Sequence, residues 1–540
     1  MNPLASSALL LEFGREQELQ LLVLLISAAA LLILAGPLRI PYPILLVLGG
    51  LLLGFGPGVP KLTMPPELVL VGILPPLLYV QAYSTGLREL RQNIRPISLL
   101  AVGLVGLTTV GVALVAHAIT GLGWAESFVL GAVVSPTDPI AATAIGRRLG
   151  VPRRLIDIVE GESLVNDGTA LVLLRTAIVV AVAGTFSPWE AAGSLVLNVV
   201  GGIAVGLAVG YVIRRIRRPL DNPPLEVTIA FLTGYFAFLP ASVLGVSGVL
   251  AVVTAGVYMG WYTPELTTVQ TRLQARGFWE IVTFLLNVLL FGLVGLQLRP
   301  IIDGLSGHAG WALVGDAVVI VLAVIALRII WVFPATYVPR WLSPSLRERD
   351  PSPPLRYPAF IAWNGMRGAV TIAAALLVPL ETDAGAPFPG RDLIIFFAFA
   401  VVLATLVVQG LSLPLAIRWL RLEADDSVAE SEEAHARVTA AEAALQRLDE
   451  LVAEGRVLDD SAKRLRGQYR FRIDRFSARF DPDGDGKLER RSIKYQRVRR
   501  ELLEAERNAV VELRNTGEIS DEVMRRIEGD LDLEVSRLDS

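Results

Sequence analysis

Residues 131–176 read GAVVSPTDPIAATAIGRRLGVPRRLIDIVEGESLVNDGTALVLLRT, two apolar segments joined by a basic loop with Arg147, Arg148, Arg153 and Arg154. Each segment carries acid where a lipid-crossing helix carries none: Asp138 in the first, Glu162 and Asp167 in the second. A charge at the bilayer centre costs about 2.5–3.5 kcal/mol on insertion scales, so an acid kept there is read first as a working group. The chemistry open to it is reversible uptake of a proton or a cation. Pro136 and Pro139 flank Asp138, remove backbone donors and break the helix around Thr137 and Asp138. Freed backbone at that depth is tolerated where it is buried in protein or lines a cavity. A broken helix with an acid at the break is one way to build a cation site.

Helical spacing sorts the second segment. Residues four apart share a face, so Ser163 and Asp167 look one way while Glu162 and Asn166 look another. The first pair is assigned to the cation site. The second is assigned to structure, because a buried Glu needs a partner. Its alternative is a Glu162 at the cytoplasmic end that reaches for water. A helix break also points opposite dipole ends inward. Asp138 is expected to compensate the positive N-terminal ends. Arg367, between Gly365 and Gly368, is expected to compensate the negative C-terminal ends.

The elements that must position these residues are apolar segments. The chain has 540 residues, 53% of them hydrophobic, with a mean hydropathy of +0.55. Soluble domains average about 45–50% apolar residues. There is no Cys, which excludes disulfides, thiol chemistry and Cys-based metal sites. The three His (His117, His308, His435) are too scattered for a zinc cluster. The net charge of −3 says little about partners, because the charges are segregated. No cofactor, nucleic-acid partner or enzymatic reaction is expected. Apolar segments fall at 18–36, 42–57, 67–83, 96–118, 125–146, 156–183, 189–213, 225–240, 246–260, 278–298, 310–337, 357–380 and 392–418, thirteen in all. No small-residue cleavage site follows the first, so it is kept as a span. Several are shorter than the ~20 residues of an ideal span, as tilted or discontinuous helices would be.

Loop charge tests this division. With the N-terminus outside, the inner loops hold Arg39; Arg88, Arg91 and Arg95; the four arginines 147–154; Arg214, Arg215, Arg217 and Arg218; Arg272 and Arg276; and Arg340, Arg347, Arg349 and Arg356. The outer segments hold Arg15, Lys61, Arg299 and Arg391, so the count is eighteen against four. The positive-inside rule then expects an odd number of spans, N-terminus outside and C-terminus in the cytoplasm. From about residue 422 the composition turns to Glu, Asp, Arg and Leu. Stretches such as Ala440–Leu448 and Glu501–Arg507 are strong helix formers. The expected domains are a transmembrane one at 1–421 and a cytosolic helical tail at 422–540.

Ser135-Pro136-Thr137-Asp138-Pro139, followed by Gly161-Glu162-Ser163-Leu164-Val165-Asn166-Asp167-Gly168-Thr169-Ala170, resembles the bacterial Na+/H+ exchangers of the monovalent cation:proton antiporter superfamily. Further matches are Phe278-Trp279-Glu280, Gly292–Gln297 and Trp363–Val370. The resemblance covers roughly residues 20 to 420. It implies an all-α polytopic fold, with about thirteen transmembrane helices in two inverted six-helix repeats and crossed discontinuous helices. Segments 125–146 and 357–380 would be the crossing pair. It implies a plasma-membrane antiporter, a homodimer with early and middle helices at its interface, working in pH and sodium homeostasis. Na+ (or Li+ or K+) and H+ are its substrates. Asp167, Ser163 and the Thr137 carbonyl are implied Na+ ligands, and Asn166 and Asp138 are grouped with the cation- and proton-binding residues. Arg328 is the implied partner of Glu162, and Arg367 supports the helix crossing. The competing reading of Asp167 is an ion pair with Arg175 or Arg328.

One departure bears on mechanism. Many relatives carry Glu where this chain has Val80, and its neighbour Gln81 is neutral. The site therefore leans on Asp167. Asn-Asp at 166–167 goes with electroneutral exchange in the superfamily, where Asp-Asp goes with electrogenic exchange. In the tail, Asp481-Pro482-Asp483-Gly484-Asp485-Gly486 matches the first half of a calcium loop, but position twelve is Ser492 where a bidentate Glu is needed. A polar turn is the expected reading. The rivals to antiport are K+/H+ exchange, a passive cation channel and a membrane sensor that works through its tail. No channel filter motif is present in the sequence, and the Asn166-Asp167 pair argues against a sensor.

Overall fold

The apolar segments become helices whose ends are set by local chemistry, and the breaks fall where proline and glycine put them. A computed structural model describes residues 30, 33, 41–55, 66–183, 188–305, 310–382, 385–422, 426–477 and 487–539. Segment 18–36 therefore lies almost wholly outside the described residues, as do Arg15, Arg39, Lys61 and the half calcium loop Asp481–Gly486. Among the described residues there is no β-strand, only an isolated bridge between Glu381 and Pro387. Two compact units separate at Ala424 and Asp425.

In the first unit, besides the short turns Leu87–Gln92, Leu298–Gly304 and Pro344–Arg349, the helices are α1 (Tyr42–Gly54), α2 (Leu68–Ser84), α3 (Ile94–Thr120), α4 (Trp124–Val134), α5 (Ile140–Arg148), α6 (Arg153–Ala183), α7 (Pro188–Arg217), α8 (Pro223–Val243), α9 (Gly248–Leu266), α10 (Val269–Leu296), α11 (Gly310–Leu342), α12 (Arg356–Trp363), α13 (Ala369–Leu376) and α14 (Arg391–Trp419). Among the described residues seven are long and apolar enough to cross a membrane: α3, α6, α7, α8, α10, α11 and α14. Side-chain caps start several of them. Asn222 Oδ1 accepts from Leu225 N at 3.2 Å, Ser247 Oγ from Leu250 N at 3.3 Å and Thr268 Oγ1 from Thr271 N at 3.2 Å. Helix α2 opens with a wide π-wound stretch, Leu68–Ile73. Pro75 and Pro76 follow it and have no N–H to give back. The Gly72 carbonyl instead accepts from the Tyr235 hydroxyl at 2.7 Å.

Two of the expected segments are each split. Segment 125–146 becomes α4 and α5 with 135–139 unwound between them, and 357–380 becomes α12 and α13 with 364–368 unwound. Packing sorts the helices into two sets. One is α1, α2 and α7–α10, in which α1 lies on α10, and α9 on both α2 and α7. The other is α3–α6 and α11–α14, in which α3 lies on α4 and α11, α4 on α6, and α13 on α14. Fewer contacts cross the seam, chiefly from α6 to α9 and from α13 to α2.

The loop-charge count needs one correction. Arg217 and Arg340 do not stand free in loops; both are buried, Arg217 3.4 Å from the buried Glu226 and Arg340 2.8 Å from Asp350. Each ends a long helix, and its flexible stem carries the guanidinium back to an acid of the next segment. The second unit holds four helices, Asp426–Ala453, Asp459–Ser477, Lys487–Asn515 and Asp521–Asp539, of which the first packs on the second and the third on the fourth. Their surfaces carry exposed ion pairs such as Arg466–Asp449 at 2.6 Å.

The contact of α1 with α10 requires glycine. A Cβ on Gly50 would sit 2.8 Å from the Gly292 carbonyl oxygen and 3.1 Å from Gly295 Cα, backbone atoms that cannot turn aside. At Gly106 on α3 a Cβ meets nothing within 4 Å. Gly50→Val is expected to cost about 1–3 kcal/mol as an overpacked site. Gly106→Ala is expected to be neutral or stabilising, by up to about 1 kcal/mol of helix propensity. Thermal unfolding of the two variants in detergent checks the pair, and equal midpoints would remove the α1–α10 contact from the fold.

Candidate functional site

The two unwound stretches are tied to each other. Asp138 N donates to Met366 O at 2.8 Å, so the breaks satisfy part of each other's backbone. Asp138 Oδ1 accepts from Ile140 N at 2.9 Å and so caps the start of α5. Arg367 does the opposite work. Its Nε donates to Val134 O at the end of α4, at 3.0 Å, and its Nη1 donates to Gly365 O. Arg367 N in turn donates to the Thr405 hydroxyl at 3.0 Å. Gly368 has no Cβ because the Asp138 carboxylate occupies that space, and Gly365 likewise yields to the Arg328 side chain.

Glu162 and Arg328 meet in a fork. Nη1 lies 2.5 Å from Oε1 and Nη2 lies 2.9 Å from Oε2, with both side chains buried. Arg328 Nε donates to Ile361 O at 3.1 Å, which ties α11 to α12. The pair also reaches the break. The Thr137 hydroxyl donates to Glu162 Oε1 at 3.1 Å and accepts from Asn166 Nδ2 at 2.8 Å. Glu162 and Asn166 thus share a face, and that face holds Thr137. The Thr137 carbonyl is only weakly engaged, 3.5 Å from Asn166 Nδ2, and so keeps lone pairs for a ligand.

Ser163 and Asp167 face elsewhere. They line a cavity of about 40 Å³ together with Thr137, Asp138, Gln81 and Thr371. Leu74, Leu77, Leu78 and Leu290 supply its apolar wall. A water needs roughly 10–15 Å³ of such space, so a partly dehydrated alkali cation fits. Asp167 is buried, at 4% exposure. Among the described residues no Arg or Lys lies within 4.0 Å of its carboxylate, and neither it nor the Ser163 hydroxyl has a hydrogen-bond partner. Arg328 is engaged with Glu162, and Arg175 lines a different cavity with Glu67.

Of the residues singled out in the sequence, Asp167, Ser163, Thr137 and Asp138 meet at this cavity. Asn166, Glu162 and Arg328 stand behind Thr137, and Arg367 stands at the crossing. Thr371 and Thr405, single hydroxyls in apolar runs, leave little signal in the sequence. Glu226, buried in α8, pairs with Arg217 and accepts from Thr271 Oγ1 at 3.1 Å, a role absent from the sequence expectations. An acid inside an apolar run could have marked it. Trp279 of the Phe278-Trp279-Glu280 motif packs on Tyr79, with ring centroids 5.9 Å apart, and does not line the cavity.

Removing one partner from the Glu162–Arg328 fork strands a buried charge and frees the Thr137 hydroxyl. Glu162→Ala is expected to cost about 3–5 kcal/mol. Thermal unfolding in detergent measures it, and an unchanged midpoint would show that the fork carries no stability.

Three comparisons bear on what this site belongs to. The family described as "Sodium/hydrogen exchanger, transmembrane" matches residues 22–419. An uncharacterized Na+/H+ exchanger of Mycobacterium tuberculosis is 38% identical over 534 residues, 98% of this chain and 97% of that protein. A sodium, potassium, lithium and rubidium/H+ antiporter of Bacillus subtilis is 33% identical over 70% of this chain and 58% of its own length. The Na+/H+ antiporter NhaS2 of Synechocystis is 32% identical over 76% of this chain and 72% of its own. In fold, the chain matches the sodium proton antiporter MjNhaP1 of Methanocaldococcus jannaschii with a TM-score of 0.59 and 18% identity, covering 75% of this chain and 99% of that one. These relatives are transporters, and the chain is a multi-pass membrane protein that belongs to the sodium/hydrogen exchanger family.

Proposed function

We propose that the chain exchanges Na+ for H+ by letting the two compete for the Asp167 carboxylate. The observation that carries this reading is a buried acid on a cavity with an apolar wall, with no cation or donor of the protein to satisfy it among the described residues. Such a carboxylate is costly unless it holds a proton or a cation. Ser163 and the Thr137 carbonyl complete the Na+ shell, and Asp138 and Asn166 set the position of Thr137 and the break. Li+ and K+ stay in the substrate set beside Na+, which the name of the Bacillus relative favours. The transport unit is Met1–Ala424. The remaining helices form a cytosolic tail.

The chain crosses the plasma membrane thirteen times, with the N-terminus outside and the C-terminus inside. Two six-helix inverted repeats place the breaks at 135–139 and 364–368 in equivalent helices, and two chains form a dimer. The joining of Arg95, Arg154 and Arg340 on Asp350 supports putting those three loops on one side. Alternating access is movement of the α3–α6, α11–α14 set against the other, along the seam on which the cavity lies.

Asp167→Asn is expected to reduce Na+-driven proton flux in proteoliposomes to the level of empty vesicles, with insertion unchanged. Robust flux through that variant would remove Asp167 as the shared carrier. The exchange is one for one. One titrating carboxylate trades one proton for one monovalent cation; the other acid on the cavity, Asp138, is engaged in capping α5, and α2 contributes only Leu74, Leu77, Leu78 and the neutral Gln81. A net charge crossing the membrane gains or loses about 2.3 kcal/mol per 100 mV. With the potential set by a gradient of a permeant anion, thiocyanate, so that no substrate cation is used, the Na+ and H+ distribution at equilibrium is expected to ignore voltage. A shift with voltage would reject the one-for-one scheme and make Asp138 the second carrier to test.

A further inference from the structure

A cluster away from the cation cavity remains unexplained by exchange. Asp350, in the segment between α11 and α12, gathers three arginines. Its Oδ1 accepts from Arg154 Nη2 at 3.0 Å, and its Oδ2 accepts from Arg95 Nη2 at 2.7 Å and Arg340 Nη2 at 2.8 Å. Its backbone oxygen accepts from Arg340 Nε at 3.0 Å. Burial pushes the Asp350 carboxyl up, but Arg154, Arg340 and Arg95 outweigh it and hold the group below the usual carboxylate range. It is therefore ionised at neutral pH, and the cluster keeps an excess of two positive charges. The acceptors are used up before the donors are. Arg95 Nε and Nη1 are buried and meet no acceptor among the described residues.

Beside these arginines lies a cavity of about 50 Å³, whose lining includes Arg95, Arg154 and Arg340. The rest of its lining is largely apolar, with Leu99, Ile158, Val332, Tyr357 and Ile361 among its residues. Arg154 also stands in the first turn of α6, where the helix end adds positive potential. A forked guanidinium with free donors suits a tetrahedral oxyanion, which it can hold by two parallel bonds. A cationic rim over an apolar wall suits an amphiphile whose charged end is that oxyanion.

We propose that this crevice binds a phosphate group through Arg95, Arg154 and Arg340. The group comes either from an anionic phospholipid or from free phosphate. The bound anion bridges the ends of α3, α6 and α11. Since α6 carries Glu162 and Asp167 and α11 carries Arg328, the anion stiffens the frame of the cation site from outside it.

The test uses the full chain in nanodiscs and follows thermal unfolding by tryptophan fluorescence. One arm raises the fraction of phosphatidylglycerol in phosphatidylcholine. The other adds inorganic phosphate to phosphatidylcholine alone. Wild-type protein is expected to gain stability in at least one arm, and which arm responds identifies the source. Arg95→Gln is expected to shift half-saturation about tenfold, the weight of one charge-assisted hydrogen bond. Arg95→Lys, which keeps the charge without the fork, falls between them, and Arg215→Gln, an exposed arginine elsewhere, responds as wild type. Should Arg95→Gln fail to fold, Arg154→Gln takes its place, because the Arg154 side chain is the more exposed of the two, 54% against 26%. The proposal is overturned if neither arm moves the wild-type midpoint, or if the wild type and the Arg95 and Arg154 variants respond alike.

Discussion

Two helices are interrupted inside the first unit, and each interruption leaves helix ends with unsatisfied groups where water is scarce. The centre of the structure is arranged around that cost. Asp138 caps α5, Arg367 covers the carbonyls that end α4 and precede its own position, and Asp138 N bonds directly to Met366 O. An orphaned backbone group in lipid costs several kcal/mol, so these compensations are conditions for the breaks to exist. The glycines follow from the same constraint. Residues 365 and 368 lack side chains because Arg328 and Asp138 fill the space a Cβ would need.

A second layer of charge supports the first. The Glu162–Arg328 fork is a poor source of net stability when compared with apolar residues, because both ions are desolvated. What it does well is fix geometry. Glu162 and Asn166 hold the Thr137 hydroxyl from two sides, and Arg328 also holds the Ile361 carbonyl at the end of α12. A single apolar substitution could fill the volume but could not orient Thr137. This division leaves α6 with two working faces, one that secures the break and one that presents Ser163 and Asp167 to the cavity.

Much of this arrangement could be read from the sequence because it rests on expensive residues. Pro136, Pro139, Asp138, Glu162 and Asp167 are all costly in an apolar segment, and helical spacing alone separated the Ser163–Asp167 face from the Glu162–Asn166 face. The pairing of Glu162 with Arg328 came from resemblance, since 166 positions of chain separate them. Residues whose role depends on long-range packing were not legible. Thr405 and Thr371 are ordinary in a membrane helix until the fold brings them to Arg367 and to the cavity. Arg217 and Arg340 read as loop charges because local hydropathy ends the spans before them, whereas the helices run on and bury both. The two-set packing, and hence the seam, is likewise invisible to any local pattern.

The seam bears on why exchange would be coupled instead of leaky. The cavity takes Asp167 and Ser163 from α6 on one side and Leu74, Leu77 and Leu78 from α2 with Leu290 from α10 on the other. On the proposed reading, movement of one helix set against the other carries the acid past that apolar wall. A bare carboxylate resists the passage, since it must shed water with nothing to replace it. A protonated Asp167 is neutral, and an Asp167 with one bound monovalent cation is neutral as a pair. Both loaded forms cross at low cost, while the empty form is held back. On the proposed reading, the leucines of α2 and α10 therefore enforce coupling by penalising the unloaded carrier, and α2 adds only the neutral Gln81 to that wall, no charge that would weaken the penalty.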